Sequence, residues 1–404
     1  MVFLSNNGAS ISLLAIAVKI ARKVKTLYSD TQQLPPGPWK LPLIGNLHKL
    51  VGSLPHRIMR DLANKHGPLM HLQLGQTSNI VVSSPETAKE ALITHGILPW
   101  HPTATIGDEL FTAKRVKSFE SIRQKEVSDL VKYISSNQGS PINLSKKIFG
   151  LTYGITSRAA FAKIFQFIID EHRERLKRGK IGDEGEEARK VLIAVLLKIQ
   201  QLGELELPLS NNDIKAIIWD IFSGGSETSS TIVDWAMSEM MKNPRVLQKA
   251  QNEVRSVCNG KGDVDEANIQ ELKYLTLVIK ETLRLHPSFP LFIPKESTEN
   301  CEINGYQIPA KTRVIINAWA ISRDPNYWND PEMFYPERKK DLPGILYAIP
   351  NIELPLAKLL YHFDWKLPNG MEHEILDMTE AFGVTVKRKD DLILVPTMHK
   401  SCIG

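Results

Sequence analysis

A mostly α chain with small β regions is what the sequence predicts, and three observations carry that expectation. Apolar residues recur at helical spacing through one long stretch, Ser210 to Asn243, and through shorter ones before and after it. Strand-like runs bounded by turn residues are confined to Leu69–Ser83 and to the chain beyond Glu302. At 404 residues and 42% hydrophobic, the chain can bury a large core, as one big domain or two ordinary ones.

The long stretch reads as one helix with a defect in its middle. Ile214, Ile217, Ile218, Ile221 and Phe222 set the stripe, and Ile232, Trp235, Met240 and Met241 resume it. Ser210 with Asp213 is a helix start, and Asn243-Pro244 is a stop. Between the halves lie Gly224 and Gly225, each costing a helix interior about 1 kcal/mol relative to alanine. Stepping down the stripe places Gly225 and Thr228 on the core side. A packing notch for a crossing helix and a ligand groove fit that placement equally.

The other elements follow in order. Leu34-Pro35-Pro36-Gly37-Pro38 is a stiff extended segment. A short amphipathic helix falls near His56 to Lys65, and Leu69–Leu74 with Asn79–Ser83 forms a hairpin. Ser84-Pro85-Glu86 opens a helix that runs to about Thr94. Periodicity then fails until helices at Thr112–Ser136, Leu144–Ala162, Phe165–Arg178 and Ala188–Gln201. After the long helix come helices at Pro244–Val257 and Ala267–Leu285, and strands at Glu302–Ile308 and Thr312–Ala318. Pro331–Arg338 is an irregular meander, Leu354–Phe363 a last helix, and Gly383–Val386 and Leu392–Val395 are final strands.

Fifty cationic residues against 45 anionic ones leave a net charge of +5, too balanced to argue for nucleic acid. The basic run HRERLKRGK has no interleaved aromatics and reads as a solvated face. Cys258, Cys301 and Cys402 are far apart, which excludes a disulfide framework and a structural zinc site. Ala9–Val18 is apolar and is followed by Lys19, Arg22, Lys23 and Lys25, the pattern of a weak membrane anchor with a cytosolic flank. Glu281 and Arg284 share a helix face, and judged alone such a pair sits at the surface.

Together these motifs resemble the cytochrome P450 superfamily, in particular the plant microsomal type that oxidises terpenoids and alkaloids. The resemblance rests on Pro35-Pro36-Gly37-Pro38, Gly224-Gly225-Ser226-Glu227-Thr228-Ser229, Glu281-Thr282-Leu283-Arg284, Pro336-Glu337-Arg338 and the tail from Ile352 onwards. It implies a truncated cytochrome P450 fold over 34–404, preceded by an anchor and basic linker over 1–33. It also implies heme b, NADPH–cytochrome P450 reductase as electron donor, a small hydrophobic substrate and the cytosolic face of the endoplasmic reticulum membrane. Gly224 and Gly225 would open an oxygen groove, with Glu227 and Thr228 as catalytic residues delivering protons. Glu281, Arg284 and Arg338 would form a buried charge network, and Lys295 would meet a heme propionate. Trp219, Phe222, Ser223, Phe289 and Ile293, with Ala381 to Val384, would line the substrate pocket.

The chain also departs from that family. Family segments are missing near 95–112, 161–166 and 338–343, while the flanking text stays in frame. The third gap removes the cysteine loop, and the iron ligand's position falls on Leu342. Leucine cannot coordinate iron, so the thiolate push that favours O–O cleavage is absent. Lys295 replaces an arginine and loses its bidentate fork. The resemblance therefore implies a heme monooxygenase by descent, with a catalytically inactive fragment, splice product or pseudogene product as the alternative for this chain. His286 is a further candidate heme ligand, though its place before Pro287 reads as a helix end.

Overall fold

The computed structural model describes residues 34–94, 117, 119–158, 210–260, 262–338 and 349–399. The expected anchor over 1–33, the helices at Phe165–Arg178 and Ala188–Gln201, Leu342 and Cys402 lie outside those residues. So do the gaps near 95–112 and 161–166, and all but the first residue of the one near 338–343.

The described residues divide into two compact units. The smaller takes 34–51, 61–94 and 295–315. Its sheet has the order β1-β2-β7-β4, formed by β1 (Leu69–Leu74), β2 (Thr77–Val82), β4 (Lys295–Glu296) and β7 (Arg313–Ile316). Leu69 stands opposite Val82 and Leu74 opposite Thr77, the register of the expected hairpin. Ser84 caps the short helix α2 (Pro85–Lys89) by accepting from the Thr87 amide. The helix α1 (Pro55–His66) precedes it.

The run expected as one strand at Glu302–Ile308 is instead a hairpin, β5 (Cys301–Ile303) and β6 (Tyr306–Ile308). Asn304 and Gly305 both take positive φ, 51° and 78°, which is how a two-residue turn matches the twist of its strands.

The larger unit takes 52–60, 119–158, 210–294 and 316–399 among the described residues. Its helices are α3 (Glu120–Ser136), α4 (144–158), α5 (Asn211–Lys242), α6 (Pro244–Val257), α7 (Glu266–Ile269), α8 (Lys273–Leu285), α9 (Ala318–Ile321) and α10 (Ile349–His362). A three-stranded sheet, β3 (Ile142–Asn143), β9 (Ile393–Met398) and β8 (Phe363–Lys366), adds the second β region. One core joins Met237, Met240 and Met241 of α5 to Ala250 and Val254 of α6, Val278 of α8 and Leu356, Leu359 and Leu360 of α10. Each such side chain stabilises the fold by roughly 1.5–3 kcal/mol on burial.

Several boundaries differ from expectation, each for a local reason. The helix expected over Ala267–Leu285 is two, because Asp265 and Asn268 close a capping box on α7. The Glu253 carboxylate then takes the amides of Tyr274 and Leu275 at 2.7 and 2.9 Å, starting α8. Strand β7 stops at Ile316 because the Asn317 side chain accepts from Ala320 and begins α9. Helix α10 starts earlier than expected, and Phe363 opens β8 instead of closing the helix. Gly383–Val386 is no strand; only an isolated bridge between Glu380 and Arg388 brackets it.

Candidate functional site

The long helix begins as its residues dictate. Ser210 Oγ accepts from the Asp213 amide at 3.2 Å, and the Asp213 carboxylate accepts from the Ser210 amide at 2.8 Å. The expected defect is absent. Helix α5 runs unbroken from Asn211 to Lys242, and Gly224 and Gly225 keep helical geometry. The two glycines nevertheless face different surroundings. A Cβ on Gly225 would stand 3.7 Å from Cγ2 of Thr156 on α4, an ordinary packing distance, whereas one on Gly224 would meet nothing within 4 Å. Gly225 is thus the packing position and Gly224 borders open space.

Thr228 and Glu227 are both half-buried, as are the two glycines. The core side of this turn belongs to Ser226, Ser229 and Ser230, so the stripe read from the sequence runs along the edge of the buried face. Thr228 Oγ1 donates to the Gly224 carbonyl at 2.5 Å, one turn back. Its own carbonyl accepts from Ser288 Oγ at 3.2 Å. The Ser288 carbonyl accepts from the Val386 amide, and the Val386 carbonyl from Trp235 Nε1. Those bonds bring three distant segments, 223–235, 286–293 and 381–388, to one flank of α5. Ser288 carries no sequence signal that marks it for this task.

Of the expected pocket residues, Phe222 packs edge-on to Tyr153 of α4 at 5.6 Å between ring centroids. Burial, and then the charge of Glu227, push the Tyr153 phenol above its usual range. Ser223 is exposed and Phe289 half-buried. Ile293 is 72% exposed, and Phe382 and Val384 are 78% and 82% exposed. The backbone of Trp219 lies in α5, and its side chain lies outside the described residues.

Glu281, Arg284 and Arg338 are brought together. Arg284 donates from Nε and Nη2 to the two Glu281 oxygens at 2.8 and 2.9 Å, and Arg338 Nε donates to Glu281 Oε1 at 3.1 Å. Glu281 also accepts from the Tyr335 amide, and Arg284 donates to the carbonyls of Ser322, Pro331 and Met333. Glu281 and Arg284 are both buried, which corrects the surface pairing that their spacing alone favours. Glu337, between the motif's proline and arginine, turns the other way, to Arg245 and Lys249 on α6. Lys295 stands on β4 opposite Val314, where burial holds its ammonium pKa below the usual value.

No described cysteine is placed like an iron ligand beside α5. Cys258 lies fully buried in the core at the end of α6, and Cys301 lies on β5 in the smaller unit with its thiol pushed up by burial. His286 ends α8, stacked on Trp235 at 3.8 Å, with Nε2 taken by Glu239 Oε1 at 2.7 Å. Among the described residues no group of three or more His, Cys, Asp or Glu could hold a metal ion, and no helix is long and apolar enough to cross a membrane.

Comparison with known proteins places this geometry in a family. The cytochrome P450 family model matches residues 35–109 and 155–341. The chain belongs to the cytochrome P450 family. Its plant relatives include cytochrome P450 71D10 of Glycine max, 43% identical with 94% of each chain covered. Tabersonine 6,7-epoxidase isoform 1 of Catharanthus roseus is 44% identical with 96% of each covered. Premnaspirodiene oxygenase of Hyoscyamus muticus is 41% identical, covering 97% of this chain and 98% of that one. These alignments span 484, 487 and 493 positions, more than the 404 residues of this cytochrome P450, so each leaves relatives' residues without a counterpart. A zebra fish cytochrome P450 solved with abiraterone shares the fold, with a TM-score of 0.70 at 21% identity over 86% of this chain and 99% of that one.

Proposed function

We propose that this cytochrome P450 descends from a membrane-attached, heme-dependent monooxygenase of small hydrophobic plant metabolites, terpenoid- or alkaloid-like, and that the polypeptide itself does not oxygenate. The plant relatives support the substrate class. In a complete member, heme b with reductase-supplied electrons provides the oxygen chemistry on the cytosolic face of the endoplasmic reticulum.

The carrying observation is the missing ligand. Between Arg338 and Ile349 the chain reads Lys-Lys-Asp-Leu-Pro-Gly-Ile-Leu-Tyr-Ala, with no cysteine, and Cys258 is enclosed in the core. The residues present do not fit a thiolate-ligated heme. What persists is the opposite face: open space beside Gly224, the Thr228 hydroxyl held on the Gly224 carbonyl, and Glu227 in the same turn. The family match ending at residue 341 and the gapped alignments support loss of internal segments.

The deciding measurement is the carbon monoxide spectrum of the reduced full chain, produced with heme supplied. No thiolate-type band is expected, and its appearance would overturn the proposal. A second reading, that the gene encodes the loop and this chain omits it, is favoured by the family-like text resuming in frame after Leu342. Sequencing full transcripts across Arg338–Lys339 tests it, and a glycine-rich insert ending in cysteine would support an active enzyme from the same gene.

A further inference from the structure

The segment between the proline-rich stretch and α1 carries apolar side chains that the fold does not use. Trp39 is 69% exposed, Leu43 93% and Val51 79%, and Ile44 and Leu47 are exposed beside them. Isolated exposed apolar residues are ordinary, but five within thirteen residues of one segment are not.

This segment is held in place by the strand it lies on. The Asn46 amide donates to the Gln73 carbonyl at 2.6 Å, and Asn46 Oδ1 accepts from the Gln73 amide at 2.8 Å. Its Nδ2 donates to the carbonyls of Pro38 and Trp39, both at 3.0 Å. Gly37 and Gly45 press so closely on β1 that a Cβ on either would stand 2.1 Å from a β1 carbonyl oxygen, of His71 and Gln73 respectively. The apolar side chains are therefore displayed on a fixed platform.

Leu43 sharpens the point. It sits at the tip of the turn closed by Leu41 and Gly45, with φ of 69°. A leucine in the left-handed region costs on the order of 1 kcal/mol, and glycine or asparagine would relieve it. Nothing in the fold repays an exposed, strained leucine there.

The charge pattern selects the occupant. No aspartate or glutamate occurs between Asp30 and Asp61, while Lys40 and Lys49 flank the apolar residues. A tryptophan with apolar neighbours and lysines, lacking carboxylates, matches the interfacial region of an anionic bilayer. The segment also follows directly on the apolar and basic N-terminal run, which delivers the chain to such a surface.

We infer that residues 39–51 form a second, structured contact with an anionic phospholipid surface, with Leu43, Trp39 and Val51 entering the headgroup region. This rests on the membrane attachment proposed above and adds a site to it. The contact is weak by itself and sets the orientation of the smaller unit on the lipid.

The test is flotation of the full chain with vesicles of phosphatidylcholine, alone or mixed with phosphatidylserine. The double variant Leu43→Asn, Val51→Ser is expected to partition on the order of tenfold less onto the mixed vesicles. Bromine-labelled lipid is expected to quench the fluorescence of the chain more than that of Trp39→Phe. Asparagine accepts the positive φ, so an unchanged urea midpoint verifies folding. A separate variant, Leu13→Asn with Leu14→Asn, weakens the N-terminal run alone. If that variant abolishes binding while the patch variant and the Trp39 quenching show no difference, the patch is overturned and the N-terminal attachment stands. If the unaltered chain binds no vesicle, both fall. A patch variant that changes oligomer size but not vesicle binding would also overturn the lipid contact in favour of self-association.

Discussion

Arg284 grips Glu281 through two parallel hydrogen bonds from one turn further along α8, and neither side chain reaches solvent to any extent. The remaining donors of Arg284 hold the carbonyls of Ser322, Pro331 and Met333, so the ion pair also serves as a frame for the irregular chain after α9. A meander without regular secondary structure has few backbone partners of its own. Here the guanidinium supplies them.

Removing one partner from that pair leaves a buried charge uncompensated. Glu281→Gln is expected to destabilise the chain by about 3–5 kcal/mol, measured as a shift of the urea midpoint. Arg284→Ala should do the same and also release the meander, seen as faster amide exchange at Met333 and Tyr335. An unchanged midpoint in either variant would show that the pair is not holding the core.

The same motif offers an internal control. Glu337 faces Arg245 and Lys249, whose side chains are largely exposed. Glu337→Gln is therefore expected to cost less than about 1 kcal/mol, as exposed pairs do. Arg338→Ala, which strips Glu281 of a donor and frees the carbonyls of Asp330 and Met333, should cost several times more. Equal effects at the two neighbouring positions would contradict the geometry.

Most of the helices were legible because their apolar spacing is a local property, and the cap residues Ser84 and Ser210 were legible for the same reason. Burial of Glu281 was not, since it depends on a loop some fifty residues further on wrapping over α8. The break before α8 was hidden because its cause, Glu253, lies on another helix. The turn at Asn304-Gly305 was readable in principle: that dipeptide between apolar residues is a strong hairpin signal. In the candidate site, the order of Gly224, Glu227 and Thr228 was legible from the motif. That Gly225 packs on Thr156 while Gly224 borders open space requires knowing where α4 crosses.

Substituting glycines separates close approach from mere helix weakness. Gly224→Ala meets no atom and gains helix propensity, so it is expected to stabilise the chain by up to about 1 kcal/mol. Gly37→Ala would drive its Cβ to 2.1 Å from the His71 carbonyl oxygen and should displace the segment from β1, lowering the thermal midpoint. A destabilised Gly224→Ala would mean that the open space beside α5 is filled.

The dependence of stability on pH follows from two carboxylates moved in opposite directions. Burial, reinforced by the charge of Glu266, raises Glu353 from 4.5 to about 7 against a hydrogen bond with Thr276. Burial also pushes Glu380 upward, but the His56 hydrogen bond and the Arg57 charge outweigh it and bring that carboxyl to about 2. Below pH 4.5 Glu353 is protonated in both folded and unfolded chains and contributes nothing. As pH rises from 4.5 to 7 the unfolded chain releases the proton that the folded chain keeps, so stability falls. For Glu380 the sign reverses: its contribution is complete above pH 4.5 and is lost as pH drops toward 2. Glu353→Gln is therefore expected to flatten the decline between pH 4.5 and 7, gaining on the order of 1 kcal/mol at pH 7.5 relative to the unaltered chain. Glu380→Gln should flatten the loss between pH 4.5 and 2 while lowering stability at neutral pH. Urea titrations at each pH measure both slopes, and a Glu353→Gln chain whose stability declines as steeply as before would show that this carboxyl ionises normally in the folded state.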